Sequence, residues 1–157
     1  MDSKICLVEI HIAKLIDGEL RFLVLKRSAN EKYPNVWQPI TGHTEEGEKT
    51  YETAFREIEE EIGFKANGIY VIPQINSFYD YRTDRICNIP VFFCLVDDNF
   101  EPRISDEHSE YIWANAEQNK NLLAWEGQKK SVDLIIEYFP EKKEILNFIK
   151  LNGNNID

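Results

Sequence analysis

Apolar and polar positions alternate in blocks that mark the elements before any chemistry is considered. Lys4–Leu15 is dense in Ile, Leu and Val, and Asp17-Gly18 follows it as a turn signal. Leu20–Lys26 is a second β-rich run, so the two predict a hairpin. Trp37–Ile40 predicts a short strand entering Gly42, and Tyr51–Ile62 predicts a helix. Ile69–Tyr81 and Ile86–Val96 predict strands joined by a polar turn at Arg82-Thr83-Asp84. Pro90 has no N–H to give a ladder, so it belongs at an edge or a bulge. Tyr111–Ala114 predicts a short strand. Gln128–Phe139 and Lys142–Leu151 predict helices separated by Pro140. Strands, one central helix, more strands and terminal helices predict an α/β protein of the α+β kind, with a mixed sheet covered by helices.

At 157 residues the chain is expected to form one domain, 1–157, with a polar tail at 152–157 that frays. It is 43% hydrophobic and 29% charged, an ordinary globular balance. The formal net charge of -10 disfavours a nucleic-acid polymer or an anionic membrane as partner. A small phosphorylated ligand would need local help from Arg, Lys or a metal. Three cysteines with no CxxC predict neither a disulfide scaffold nor a zinc knuckle, but reduced thiols in a cytoplasmic protein. Glu9 and His11 interrupt the first apolar run, which therefore does not read as a signal peptide. No apolar run is long enough to span a bilayer.

The helix changes the picture. At about 100° per residue, Tyr51, Phe55, Ile58 and Ile62 fall within roughly 60°, the expected core stripe. Glu57, Glu60 and Glu61 fall within roughly 100° of one another on another side, at i, i+3, i+4 spacing. Glu59 points away, and Gly63 ends the helix. Three stacked carboxylates repel one another by a few tenths of a kcal/mol per pair. A hard divalent cation would relieve that repulsion, since it prefers oxygen ligands and takes carboxylates together with phosphate oxygens. Glu45, Glu46 and Glu48 in the preceding loop add carboxylates, and Gly42 and Gly47 allow close backbone approach.

Charge runs are usually solvated helix faces, but the full spacing is specific. Gly42, five residues, Glu48, seven residues, then Arg56-Glu57-Ile58-Glu59-Glu60-Glu61-Ile62-Gly63-Phe64 resembles the signature of the Nudix hydrolases at all nine fixed positions. The resemblance implies a mixed sheet between helices, with the signature as loop–helix–loop. It implies hydrolysis of a diphosphate linkage in a nucleoside triphosphate or related nucleotide-like compound, with Mg²⁺ or Mn²⁺. Glu60 and Glu61 would be the core metal ligands. Glu57 would be a further ligand or the base that activates water. Glu48 and the Thr41 carbonyl would complete or support the site, and Arg56 would hold the glutamates in place. A bound metal neutralises phosphoryl oxygens and lowers the pKa of an attacking water, which is what such a hydrolysis requires.

Outside the box, similar proteins place an arginine at the position of Arg27 against substrate phosphate. "SDEHSEYIW", Ser105–Trp113, resembles the later segment that carries an additional catalytic glutamate, here Glu107 with Glu110 in reserve. His43 and His108 flank the same region, although a lone histidine is more often incidental. Trp37, Trp113 and Trp125 are core candidates first. Trp125, ahead of a helix, could stack on a base or pterin, as could Trp37; Tyr79 and Tyr81 share one strand face as further pocket candidates. "WQPITGHTEEGE" with "EHSEYIWA" and Trp125 is similar to bacterial dihydroneopterin triphosphate diphosphatases. Gly42-His43-Thr44-Glu45 is also similar to the box entry of asymmetric diadenosine tetraphosphate hydrolases. The expected partner is a small phosphorylated substrate, with a homodimer as an open assembly state. A reading from another class is a catalytically inactive ligand-binding or regulatory module of the same fold; the intact box carboxylates weigh against it.

Overall fold

In the computed structural model of the protein, residues 2–5, 7–139, 141–147 and 149–152 are described. The chain runs β1 (Asp2–Ile5), β2 (Leu7–Ile16), β3 (Glu19–Arg27), β4 (Trp37–Gln38), β5 (Ile40–His43), α1 (Thr50–Ile62), β6 (Gly68–Asp80), β7 (Arg85–Val96), β8 (His108–Ala114), α2 (Ala116–Leu122), α3 (Glu126–Tyr138), α4 (Lys143–Asn147) and β9 (Lys150–Asn152). The strands form one mixed sheet whose main path is β4-β3-β2-β7-β6-β9; β5 pairs with β2, β8 with β3 and β1 with β7. β2 and β7 run parallel, with Glu9 opposite Val91 and Ile12 opposite Cys94.

The central strands β2, β3 and the second half of β7 are buried on both faces, and strand alternation divides the core in two. Val8, Ile10 and Ile12 of β2, Leu23 and Leu25 of β3, and Phe92 and Cys94 of β7 pack with Ala54, Ile58 and Ile62 of α1. The intervening Ala13, Phe22, Val24, Val91 and Phe93 face the other way, onto Val132 and Ile135 of α3. The mixed sheet sandwiched between helices is therefore as expected. The β2–β3 hairpin turns at Asp17 and Gly18, both at positive φ, the left-handed backbone that a two-residue turn requires. Pro90 sits beside a register shift between Ile72 and Ile75, the bulge its missing N–H predicts.

Four expectations need correction. The strand over Trp37–Ile40 is split at Pro39: β4 pairs with β3 and β5 with β2, because Pro39 cannot continue one ladder and the chain crosses between two partners. Helix Lys142–Leu151 is only the short α4; Lys150–Asn152 pairs instead with Gly68–Tyr70 and covers the β6 edge, so Asn152 is not frayed. The remainder of the expected tail, 153–157, lies outside the described residues. Cys87 is disulfide-bonded rather than reduced. Cys94 is a free buried thiol, and Cys6 lies outside the described residues. The core stripe of α1 is also rotated, as the site shows.

Glu9 and His11 fall on the α3 side of β2 and are almost fully buried, 2.6 Å apart. Asn76 donates to Glu9 at 2.6 Å, and Gln74 donates to Asn76 and to Ser131 of α3. Burial alone would raise the Glu9 pKa, but the His11, Ser131 and Asn76 bonds outweigh it and lower it. A buried charge is thus satisfied by partners from three elements.

Candidate active site

α1 begins after an extended Lys49, whose N–H donates to Glu52, and it ends at Gly63 in the left-handed conformation, whose N–H donates to the Glu59 carbonyl. The buried residues of α1 are Thr53, Ala54, Glu57, Ile58, Glu61 and Ile62, while Tyr51 and Phe55 are only half-buried. On the helical wheel the buried arc is therefore turned roughly 80° from the apolar stripe, toward the carboxylates. The cause is β5, which lies under this arc. A Cβ at Gly42 would stand 2.2 Å from Glu57 Cδ, so only glycine leaves room for that carboxylate against the sheet. Glu60 and Glu59 are exposed, as expected for Glu59.

Arg56 organises the loop and the helix together. Its Nε and one terminal nitrogen take both oxygens of Glu48, at 2.7 and 3.0 Å. The same terminal nitrogen donates to the His43 carbonyl at 2.9 Å. Its other terminal nitrogen donates to Glu57 at 2.9 Å and Glu60 at 3.1 Å. A planar fork with this many donors suits the task in a way a lysine ammonium does not. Thr53 Oγ1 also donates to Glu48, at 2.6 Å. The Arg56 bonds, with Thr53 and the Glu45 N–H, hold the Glu48 carboxyl down at about 2. Glu57 behaves oppositely. Burial pushes it up, the Glu61 and Glu60 charges add to this, and Arg56 offsets only part, leaving it at about 7.

Glu61 is buried at the far end of the cluster. Ser105 Oγ donates to its Oε2 at 2.7 Å, and His108 Nδ1 lies 3.2 Å from the same oxygen. Burial raises the Glu61 pKa, but these neighbours outweigh it and lower it. The Arg103 and Ser105 N–H groups cap the carbonyls of Ile62 and Glu61, so the 97–107 loop docks on the end of α1. Glu107 is raised, first by burial and then by the charges of Glu61 and Glu31; its carbonyl accepts from the Ser28 N–H. Glu110 instead pairs loosely with Lys26.

The box residues Gly42, Glu48, Arg56, Glu57, Glu60 and Glu61 thus converge, and Glu107 lies electrostatically coupled to them. Thr41 stands beside them on β5, opposite Glu9 in register. Among the described residues no three His, Cys, Asp or Glu side chains already form a metal cage. The donor set still fits a hard cation, because the converging side chains Glu48, Glu57, Glu60 and Glu61 all offer carboxylate oxygens.

The proposed substrate residues are more scattered. Arg27 folds back on its own loop, donating to the Lys32 carbonyl and lying 3.8 Å from Glu31. Trp125 caps α3 and is half exposed, packed edge-on against Tyr33 at 5.7 Å. Trp37 pairs with Lys26 and packs on the α3-side core, while Trp113 packs on the other. Tyr79 and Tyr81 are exposed at the end of the β6–β7 hairpin, where Tyr79 donates to Asp84. Sequence reasoning missed Ser105 and Gln38 as site neighbours and treated His108 as incidental. It also missed α2, whose signal was present: Asn115 and Gln118 form a reciprocal capping box.

The NUDIX domain model matches residues 8–135. The asymmetrical bis(5'-nucleosyl)-tetraphosphatase of Mus musculus is 28% identical over 123 residues, 77% of this chain and 82% of that protein. The nucleoside triphosphatase NudI of Klebsiella pneumoniae is 30% identical over 118 residues, 70% of this chain and 84% of that protein. Among solved structures, the E. coli dihydroneopterin triphosphate pyrophosphohydrolase superposes with a TM-score of 0.69 at 20% identity, covering 85% of this chain and 99% of that one.

Proposed function

Because the chain belongs to the NUDIX domain family of hydrolases, we propose that it cleaves a diphosphate linkage in a nucleoside triphosphate or a nucleotide-like triphosphate, with dihydroneopterin triphosphate as the first substrate to test. The observation that carries this reading is the Arg56-centred carboxylate cluster, with Glu57 seated over Gly42. Family members use divalent ions, and we assign Mg²⁺ or Mn²⁺ here. Glu60 and Glu61 would hold the ion, with Glu57 as a further ligand or as the base that activates water, supported by Glu48 and the Thr41 carbonyl. When bound, the ion supplies charge neutralisation on the phosphoryl oxygens and a more acidic water.

The remaining work falls to the chain's own groups. Arg56 keeps Glu48, Glu57 and Glu60 in one array and partly cancels their repulsion. In the role of base, Glu57 would take the proton from water, helped by the burial that raises its pKa, and Glu107 is a second carboxylate with a raised pKa. Arg27 would leave Glu31 to meet phosphate, and Trp125 would offer a flat wall to the heterocycle.

A second reading is hydrolysis of a dinucleoside tetraphosphate. It is favoured by the tetraphosphatase relative and by His43 following Gly42. The inactive-module reading is disfavoured by a full set of box carboxylates. We place the protein in the cytoplasm acting on small molecules; the bonded Cys87 is the feature that argues for a less reducing setting. The deciding experiment measures phosphate and pyrophosphate release with Mg²⁺ from nucleoside triphosphates, dinucleoside polyphosphates, nucleotide sugars and dihydroneopterin triphosphate. Release from none of them would support the binding-module reading.

A further inference from the structure

Gln38 and His108 come from the two segments "WQPITG" and "EHSEYIW", seventy residues apart, and both are buried. The Gln38 side-chain nitrogen lies 3.1 Å from His108 Nε2. An amide nitrogen can only donate, so Nε2 accepts and the ring proton sits on Nδ1. Nδ1 in turn lies 3.2 Å from Glu61 Oε2, without hydrogen-bond alignment and with no other partner among the described residues. Ser105 Oγ donates to that same oxygen at 2.7 Å.

We propose that Gln38, His108 and Ser105 form a positioning relay for Glu61: Gln38 fixes the His108 ring, and His108 with Ser105 occupies Oε2, so that Oε1 alone is presented to a divalent cation. Groups of this kind orient a ligating carboxylate without touching the ion. The misaligned Nδ1 fits this role. A small turn of the Glu61 carboxylate brings Oε2 onto the Nδ1 proton, and a buried donor without a partner favours that turn. The relay also gives a reason for the two sequence segments to occur together: one supplies the donor that sets the imidazole, and the other supplies the imidazole. This inference rests on the assignment of Glu61 as a metal ligand.

The test is direct Mn²⁺ binding without substrate, followed by the electron paramagnetic resonance signal of free Mn²⁺, with the thermal midpoint of each metal-free variant recorded alongside. His108→Leu should weaken Mn²⁺ binding about 10- to 100-fold, and Ser105→Ala and Gln38→Leu should move it the same way by smaller factors. His108→Asn can place an amide N–H near the Nδ1 position and should recover most of the loss. A relay that is merely structural would lower the midpoint and leave the Mn²⁺ affinity unchanged. If His108→Leu does not fold, Gln38→Leu and Ser105→Ala carry the test. Mn²⁺ affinity within about twofold of the parent in the folded relay variants, while Glu61→Gln binds weakly, overturns the relay alone. Parent-like affinity in Glu61→Gln overturns the ligand assignment and the relay with it.

Discussion

Glu57 Cδ stands 2.2 Å from the place where a side chain at Gly42 would begin. The carboxylate of α1 and the backbone of β5 therefore share a space that a single methyl group would close. Gly42→Ala should push Glu57 out of the Arg56 array without unfolding the sheet. A displacement of about 1 Å at a reacting group can cost on the order of 10²-fold, so turnover should fall by about that factor. Steady-state kinetics beside a circular dichroism melt would check this; unchanged turnover in a folded G42A protein contradicts the assignment of Glu57.

Metal dependence follows from the same cluster. A chelator should abolish hydrolysis, and Mg²⁺ or Mn²⁺ should restore it. Glu60→Gln and Glu61→Gln should each lower turnover on the order of 10²-fold, about 3 kcal/mol of transition-state stabilisation. Near-normal turnover in both variants would sink the metal assignment.

Neighbouring positions on α1 should divide cleanly. Glu59 is exposed, so Glu59→Gln should leave activity and stability almost unchanged. Ile58 is fully buried, and Ile58→Ala should cost about 2–5 kcal/mol in a denaturant titration. Loss of turnover in E59Q with none in E60Q would mean that the working face of the helix is a different one.

Two carboxyls predict stability changes in separate pH windows when metal is absent. Glu57, raised from 4.5 to about 7, contributes stability that is complete below 4.5 and lost as pH rises through 7. Glu48, lowered from 4.5 to about 2, contributes stability present above 4.5 and lost as pH falls through 2. Thermal midpoints across this range should show Glu57→Gln flattening the neutral side, with a residual slope from Glu107, and Glu48→Gln flattening the acid side. A Glu57→Gln protein with the parent's slope between pH 4.5 and 7 would show that the group is not perturbed.

Trp125 tests the substrate wall. Stacking on a heterocycle is worth about 1–3 kcal/mol, so Trp125→Ala should raise KM roughly 5- to 150-fold for the best substrate, with kcat moving less. An unchanged KM would assign Trp125 to its edge-on contact with Tyr33 alone. Turnover of dihydroneopterin triphosphate far below that of diadenosine tetraphosphate would reverse the order of the two substrate readings.

What could be read in advance was what the chain encodes locally. The box spacing, the Asp17-Gly18 turn and the Pro90 bulge are fixed by neighbouring residues. The rotation of the α1 burial arc was not legible, because an apolar count along a helix does not see a glycine on the strand beneath it. Burial of Glu61 depends on Ser105 and His108, more than forty positions away. β9 was misread for a related reason: Lys150–Asn152 has the composition of a helix end, and only the open edge of β6 makes it a strand. Glu9 and His11 looked like interruptions of an apolar run; His11 pairs with Glu9, and the other partners of Glu9 lie on β6 and α3.

β2 serves two cores at once, with Val8, Ile10 and Ile12 committed to one layer and Glu9, His11 and Ala13 to the other. The strand therefore has a reading frame. A conservative exchange at one position perturbs one layer, but insertion or deletion of a single residue within Leu7–Ile16 transposes every side chain beyond it. Val8 and Ile10 would then enter the polar network under Ser131, while the Glu9 carboxylate would be driven in among Ile58 and Leu25. The segment therefore tolerates exchange of a residue far better than a change in its length, and the phase of this one strand keeps the helix that carries the glutamates on an apolar floor.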